Sequence, residues 1–434
     1  MTDVTDRLAP TAGNPRTKAR APTMLARAFR EFATVPSLMI LGFGVLAALS
    51  IVADQSNIAS LGAMRHDLAH VIGSQAATTT LQAIATGIVT VTSITFSVVL
   101  LALQQTASSL SPVVFDQFVR RRGNQVFLGF FVGLAVYAYV VLVAVQAKTP
   151  PITGAFFATV LTIVAMVFLI ALIYNTVDQM RPVNVIRQIH DRVLAARRGE
   201  EALVARTRRE EAANDPVRVT YRSQTTGYVT GLSLGQLEKA LQQVPGAEIR
   251  LHVTLGQHVT YDSVVATVRD DDEADAESLA EEVRASVVIS QRRDVDHDAS
   301  TGIDDLGNIA WTSGSTAKQN PEVAREALNS LADIAARWLV KEQRPAEEPL
   351  PIVYADNDLA LIFDWFYSLV VAAHESQQHM QAARVLRVLG SLRDRANPEL
   401  RRRIDDDIFR LTPILDDLPP SAQVASARRE LGMP

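Results

Sequence analysis

The chain has 434 residues, with 42 Lys and Arg against 47 Asp and Glu, a formal net charge of −5. That length accommodates two or three domains, and so small an imbalance argues against a dedicated nucleic-acid surface. Cysteine is absent, which excludes disulfides, thiolate metal sites and cysteine nucleophiles.

The N-terminal tail, 1–34, carries Arg16, Lys18, Arg20, Arg27 and Arg30. No small-residue cleavage site follows and further apolar runs come after it, so it reads as a basic tail and not as a cleaved signal peptide. The next part, 35–177, holds apolar runs at 35–53, 81–103, 126–145 and 152–174, none with a charged residue. About 20 apolar residues cross a hydrocarbon core about 30 Å thick, and within lipid a helix satisfies its own backbone. A membrane α-helical bundle of four transmembrane helices is expected. Basic residues gather in the tail, at Arg120, Arg121 and Arg122, and at Arg181, Arg187, Arg192, Arg197 and Arg198. The other two connections hold only Arg65 and Lys148. This alternation predicts cytoplasmic N- and C-termini and a multi-pass protein of the cell inner (plasma) membrane.

The first external loop can form an amphipathic helix through Leu61, Met64, Leu68, Val71 and Ile72. His66 and His70, four apart, allow metal binding in principle; two exposed polar residues are the plainer reading, since no carboxylate cluster supports a site. The second span carries Thr86, Thr90, Thr92, Ser93, Thr95 and Ser97 and runs into Gln104 and Gln105. Hydroxyls at this density line a wet path, or bond their own preceding carbonyls or a neighbouring helix. The pore-lining candidates are Thr86, Thr90, Ser93, Ser97 and Gln104. Pro112 is expected to act as a hinge, with Arg120, Arg121 and Arg122 at the inner lipid surface. Gly129 and Gly133 have the GxxxG spacing of close helix packing. Tyr137 and Tyr139 lie deep enough in the third span to need internal hydrogen-bond partners.

Segment 178–215 reads as a cytoplasmic helical stalk with a break at Pro182. A small β module follows at 216–270, with strands near 217–220, 227–232, 248–253 and 264–268 and a helix at 234–243. Its order resembles half of a barrel-sandwich hybrid without the lipoyl lysine, which points to structure or assembly. Segment 271–320 is an acidic linker and helix; its runs 270–282 and 294–298 read as solvated surface, with a cation site as the alternative. A C-terminal helical domain, 321–434, begins at Pro321, with helices near 359–373, 380–392 and 398–411 and a weakly ordered tail after Pro413. The fold class is thus a membrane bundle followed by a cytoplasmic α+β region.

The chain resembles a bacterial membrane protein family known as domain of unknown function 2254. The resemblance rests on Leu110-Ser111-Pro112, on Arg122-Gly123-Asn124-Gln125-Val126-Phe127-Leu128-Gly129, on Gly227-Tyr228-Val229 and on Gly256-x-x-Val259. It extends from the first span to about Leu339. A family stretch with Pro-Gly and Asn-Asp elements corresponds here to Ile309 through Ala324, where Ile309, Ala310, Ser315, Pro321 and Ala324 remain and those elements do not. Ser313, Ser315 and Asn320 mark a possible pocket there. Family membership implies no activity.

These readings lead to an expected oligomeric channel-like protein, a passive path for ions or small solutes with a cytoplasmic assembly or sensing domain. No charge is buried in the spans, which disfavours coupled transport and leaves a passive channel open. The alternative is a non-conducting scaffold or sensor whose cytoplasmic domain binds an unknown protein or small ligand. An enzyme is not expected, because Asp178, Arg181 and His190 have the spacing of a solvated helix. No catalytic residue, cofactor or metal is expected. The expected partners are the lipid bilayer and further copies of the chain, and no nucleic acid.

Overall fold

The computed structural model describes residues 34–55, 68, 74–109, 122–144, 150–179, 181–211, 216–294, 296–315, 321–342 and 349–433. The chain divides into two compact units, Met1–Val99 with Asp116–Asn175 and Leu100–Phe115 with Thr176–Pro434.

The first unit is built on helices α1 (Thr34–Gln55), α2 (Ser74–Ser109), α3 (Arg122–Val143) and α4 (Ile152–Gln179), with α2 from Leu100 and α4 from Thr176 counted in the second unit. All four are long and apolar enough to cross a membrane. Helix α2 is longer at both ends than its apolar run, because its Ser-, Thr- and Gln-rich flanks propagate a helix that the apolar centre has nucleated. Apolar side chains point both inward and outward: Leu38, Leu41, Val45 and Leu49 of α1 are exposed, whereas Phe43 and Ala47 are buried. A helix apolar all round is one whose solvent is itself apolar.

Gly129 and Gly133 set the closest packing. A Cβ on Gly129 would lie 2.9 Å from the Pro36 Cα, and one on Gly133 would lie 2.4 Å from the Phe43 ring. Both glycines therefore admit α1 against α3, as the GxxxG spacing predicts. Phe43 then meets Phe130 edge-on at 5.4 Å, and Phe130 lies 4.6 Å from Phe168 of α4. Asn124, in the stretch shared with the family pattern, accepts a hydrogen bond from the Asn175 amide at 3.2 Å, tying the start of α3 to α4.

The second unit opens with α5 (Pro182–Arg206). Pro182 stands at its first position, where the absent N–H is harmless. There follow β1 (Val217–Arg222), β2 (Gly227–Leu232), α6 (Leu234–Gln243), β3 (Glu248–Leu251), β4 (His258–Val259), β5 (Val264–Arg269), α7 (Glu273–Ser286) and β6 (Val287–Ser290). The rest is α8 (Ala299–Gly314), α9 (Pro321–Glu342), β7 (Ile352–Tyr354), α10 (Asp358–Glu375), α11 (His379–Arg393), α12 (Pro398–Asp416) and α13 (Ala422–Glu430). One sheet has the order β1-β5-β3-β7 and the other β4-β2-β6. All pairings are antiparallel except β3 with β7.

Strand β7 was not visible as a strand in the proline-rich stretch that precedes it. Strand β6 was hidden in the acidic linker. Ile352 and Tyr354 are buried in the same apolar core as Val229, Ile249, Val265, Leu279 and Leu203 of α5. A second core is all-helical. It takes Ile189 and Val193 of α5, Ile303 and Leu306 of α8, and Leu331 and Trp338 of α9. Phe363 and Phe366 of α10, Leu386 of α11 and Leu411 of α12 complete it.

Two glycines that carry the family resemblance, one in a turn and one at the start of β2, are steric necessities. Gly256 has φ +78°, and a Cβ there would lie 2.3 Å from the Asp298 carboxylate; a Cβ on Gly227 would lie 2.5 Å from the Ser290 carbonyl.

The tail corrects an expectation. Helix α12 continues through Pro413 to Asp416, and α13 buries Val424 and Ala427. An interior proline costs about 3 kcal/mol. Leu415, Leu418 and Val424 are buried beyond it, each worth about 1.5–3 kcal/mol, so packing outweighs the break.

Gly129→Ala and Gly133→Ala are each expected to cost about 1–3 kcal/mol through overpacking. Gly44→Ala, where nothing stands within 4 Å, should be neutral or raise stability by up to about 1 kcal/mol. Thermal unfolding of the three purified variants in one detergent measures the difference.

Candidate functional site

Helix α2 has two chemically distinct faces. Ala77, Leu81, Ala85 and Ile88 are buried, and they pack in the core with Leu134, Tyr137 and Ala158. Thr86, Thr90, Ser93, Ser97 and Gln104 are all exposed. With about 100° of turn per residue, these five fall within about 60° of one another, on the side opposite the buried residues. Thr86, Thr90, Ser93 and Ser97 therefore share one stripe that points away from the core of the first unit, while Gln104, further along the same helix, falls in the second unit. Thr79 and Gln82 are exposed and continue the stripe toward the start of α2. The apolar window alone missed them because it opened at 81. Their spacing from Thr86, repeated one and two turns earlier, was the available signal. Val89, Ile94 and Phe96, also exposed, flank the stripe.

Some of the hydroxyls are already satisfied within the helix. Thr90 donates to the Thr86 carbonyl at 3.0 Å and Ser97 to the Ser93 carbonyl at 2.9 Å. Thr92, which is half-buried, donates to the Ile88 carbonyl at 2.6 Å. Each such hydroxyl keeps its oxygen lone pairs for a further donor.

Beside the stripe lies a groove of about 560 Å³ between α2, α3 and α4, lined by Ala83, Gly87, Val91, Phe131, Ala165 and Met166 among others. Its walls are almost wholly apolar. Thr79, Thr80 and Thr162 are its polar lining residues, and Thr79 joins it to the more polar outward stripe.

A second constellation joins three helices at the other end of α1. Asp54 is only 5% exposed. Its Oδ1 accepts from the Thr153 amide at 2.9 Å and its Oδ2 from the Gly154 amide at 3.1 Å. These amides belong to the first turn of α4, which has no intrahelical acceptor for them. A carboxylate there also opposes the positive end of the helix dipole. Tyr137, fully buried on α3, donates to the Gly154 carbonyl at 3.2 Å and lies 2.9 Å from the Ser50 hydroxyl. Gly154 permits the approach: a Cβ on it would stand 2.4 Å from Val141 Cγ1. The internal partner expected for Tyr137 is present. Tyr139 is 46% exposed and so faces outward, contrary to expectation, because it is two residues, about 200°, round the helix from Tyr137. Asp54 was missed because the apolar run was closed at Ala53; it lies within the candidate span Thr34–Gln55 and corrects the expectation that no charge is buried in the spans.

Of the other expected site residues, Arg122 is exposed at the start of α3. Pro112, Arg120, Arg121 and Asn320 lie outside the described residues, as do His66 and His70. Ser313 is buried on α8; Ser315 caps that helix, its amide donating to the Trp311 carbonyl at 2.9 Å. Gly314 packs on Gln381 of α11.

Four apolar helices with outward-facing aliphatic side chains define a membrane protein. The model of the predicted membrane protein family, domain of unknown function 2254, matches residues 30–389, and the chain belongs to that family. No curated protein and no solved structure matches it.

Asp54→Ala is expected to destabilise the protein by about 1.5–3 kcal/mol, the range for losing hydrogen bonds to a charged group. Tyr137→Phe should cost about 1 kcal/mol. Both are read as a lower unfolding temperature in detergent, with unchanged helix content below the transition.

Proposed function

We propose that this chain is an oligomeric, multi-pass protein of the bacterial plasma membrane in which α2 lines a passive path for ions or small polar solutes. Both termini are read as cytoplasmic from the distribution of Lys and Arg. The C-terminal unit is read as the assembly and sensing part, with its β segment as the assembly module.

The supporting observation is the stripe of Thr79, Gln82, Thr86, Thr90, Ser93 and Ser97 directed away from the core of the first unit, with Gln104 exposed further along the same helix. A hydroxyl bonded back to its own helix tolerates lipid. Gln82, exposed within the candidate span Ala76–Ser97, has an amide with two donors and an acceptor, and its burial in hydrocarbon without partners is unfavourable by several kcal/mol. A neighbouring copy or a water-filled path relieves that cost. The stripe is uncharged, which suits passive movement better than coupled transport.

The second reading is a non-conducting scaffold or sensor, whose C-terminal unit binds a protein or small ligand and whose stripe meets neighbouring helices but encloses no water. Mass measurement of the purified protein and planar-bilayer recording separate the two. A ring-like oligomer with a current that falls at least about tenfold in the Thr90→Leu, Ser97→Leu variant supports the path. An oligomer that passes no current under voltage or tension leaves the scaffold. A monomer or dimer that passes no current overturns the path and leaves the scaffold or sensor.

A further inference from the structure

The second unit holds a buried charge cluster that the membrane path does not use. Arg197 and Glu200 of α5 are 9% and 6% exposed, and Asp358, the first residue of α10, is 9% exposed. The Arg197 guanidinium donates to both oxygens of Asp356, to Asp358 at 3.3 Å and to Glu200 at 3.4 Å. It lies 4.7 Å from the centre of the Trp338 ring of α9. The Asp358 amide donates to Asp356 at 3.2 Å.

The position of the cluster gives it leverage. Helix α5 contributes Ile189 and Val193 to the all-helical core and Leu203 to the β-sheet core. Arg197 and Glu200 fall between those contributions. The chain crosses between the same cores again from Val287 to Ala299, from Leu339 to Ile352 and from Tyr354 of β7 to Leu359 of α10. Asp356 and Asp358 fall within the last of these crossings. One guanidinium therefore pins together two of the four stretches of chain that link the two cores.

We propose that the Arg197–Glu200–Asp356–Asp358 cluster is a proton-operated latch between α5 and the β7–α10 connection, closed when it holds protons and loosened when it is fully ionised.

Full ionisation would leave three carboxylates against one guanidinium, with two negative charges uncompensated in a buried site. The surroundings offer little relief. From α8, the Ala299 amide bonds Glu200. Asp298, at the start of the same helix, is itself negative and is held by Arg293 at 3.1 Å. From α9 the facing group is the Trp338 ring. From β7 it is Tyr354, whose phenol accepts from the Leu255 amide at 3.4 Å and is kept protonated by burial. A metal ion does not supply the balance: among the described residues no three carboxylate, His or Cys side chains are arranged to hold one. Protons remain.

Burial raises the Glu200 carboxyl from 4.5 to about 7, against the pull of Arg197. Burial and the neighbouring Glu200 and Asp356 raise Asp358 well above the usual carboxylate range. A carboxyl raised in the folded state binds more protons there than in the open chain. Its contribution is thus fully present below about 4.5 and is lost as pH rises through about 7. The latch closes on the acid side and loosens on the alkaline side of neutrality.

The test is hydrogen–deuterium exchange on the full chain in detergent at about pH 6 and about pH 8, corrected for intrinsic rates. The reporters are peptides covering 195–206 and 352–360. Protection there is expected to fall on the order of tenfold at the higher pH, with peptides from α12 and α13 unchanged. In Glu200→Gln, which keeps the shape and stays neutral, most of that fall should vanish. A wild type with equal protection at both pH values overturns the proposal, as does a Glu200→Gln variant with the full wild-type fall. Should Glu200→Gln not fold, infrared titration of the wild type decides alone. A protonated-carboxyl band that disappears near neutral pH supports the latch, and no such band overturns it.

Discussion

Backbone amides and carbonyls that find no partner in hydrocarbon cost several kcal/mol each, and the membrane unit is arranged around that constraint. Within each helix the ladder meets it. At the helix ends, where the first amides have no intrahelical acceptor, side chains take over. The carboxylate of Asp54 reaches from α1 to the Thr153 and Gly154 amides of α4, and the Tyr137 hydroxyl takes the Gly154 carbonyl. A small residue at 154 admits Val141 of α3 beside them, and small residues at 129 and 133 draw α1 and α3 close. Polar satisfaction and close packing are thus secured by the same few positions.

Against that background the outward stripe of α2 is the part of the membrane unit that its own chain leaves in a polar state. The apolar face, from Ala77 to Ile88, is spent on the bundle core. The hydroxyl and amide face is not. Back-bonds from Thr90 and Ser97 lower the cost of exposure to lipid, and leave acceptors and glutamine amides for something outside the chain. This division of faces is the physical basis for reading the protein as an assembly.

The second unit solves a different problem. It joins a helical core to a β core by four crossings, and it concentrates buried charge where two of them meet. A single apolar core needs no such device. Here Arg197 carries the junction, with Trp338 beneath it and three carboxylates around it. A buried pair or triad of charges is weak as a source of stability, since desolvation offsets attraction. Its value lies in specifying one arrangement and in responding to protons.

The amino-acid sequence by itself determined the four spans, because length and apolarity are properties of a segment and need no partner to be read. It also determined the GxxxG contact, the helices starting at Pro182, Pro321 and Pro398, and the strands near 217, 227, 248 and 264, since period and punctuation are local. The stripe was legible as a heptad-like recurrence of Thr, Ser and Gln. Which way it faced was not: an apolar helix surface looks alike whether it meets lipid or a neighbouring helix, and only packing fixed the rotation of α2. Packing likewise turned Tyr137 inward and Tyr139 outward. Strand β7, the fold of the tail beyond Pro413, the reach of Asp54 to α4 and the meeting of Arg197 with Asp356 and Asp358 were decided by tertiary structure. Each joins residues far apart in the chain, and local periodicity carries no information about such partners.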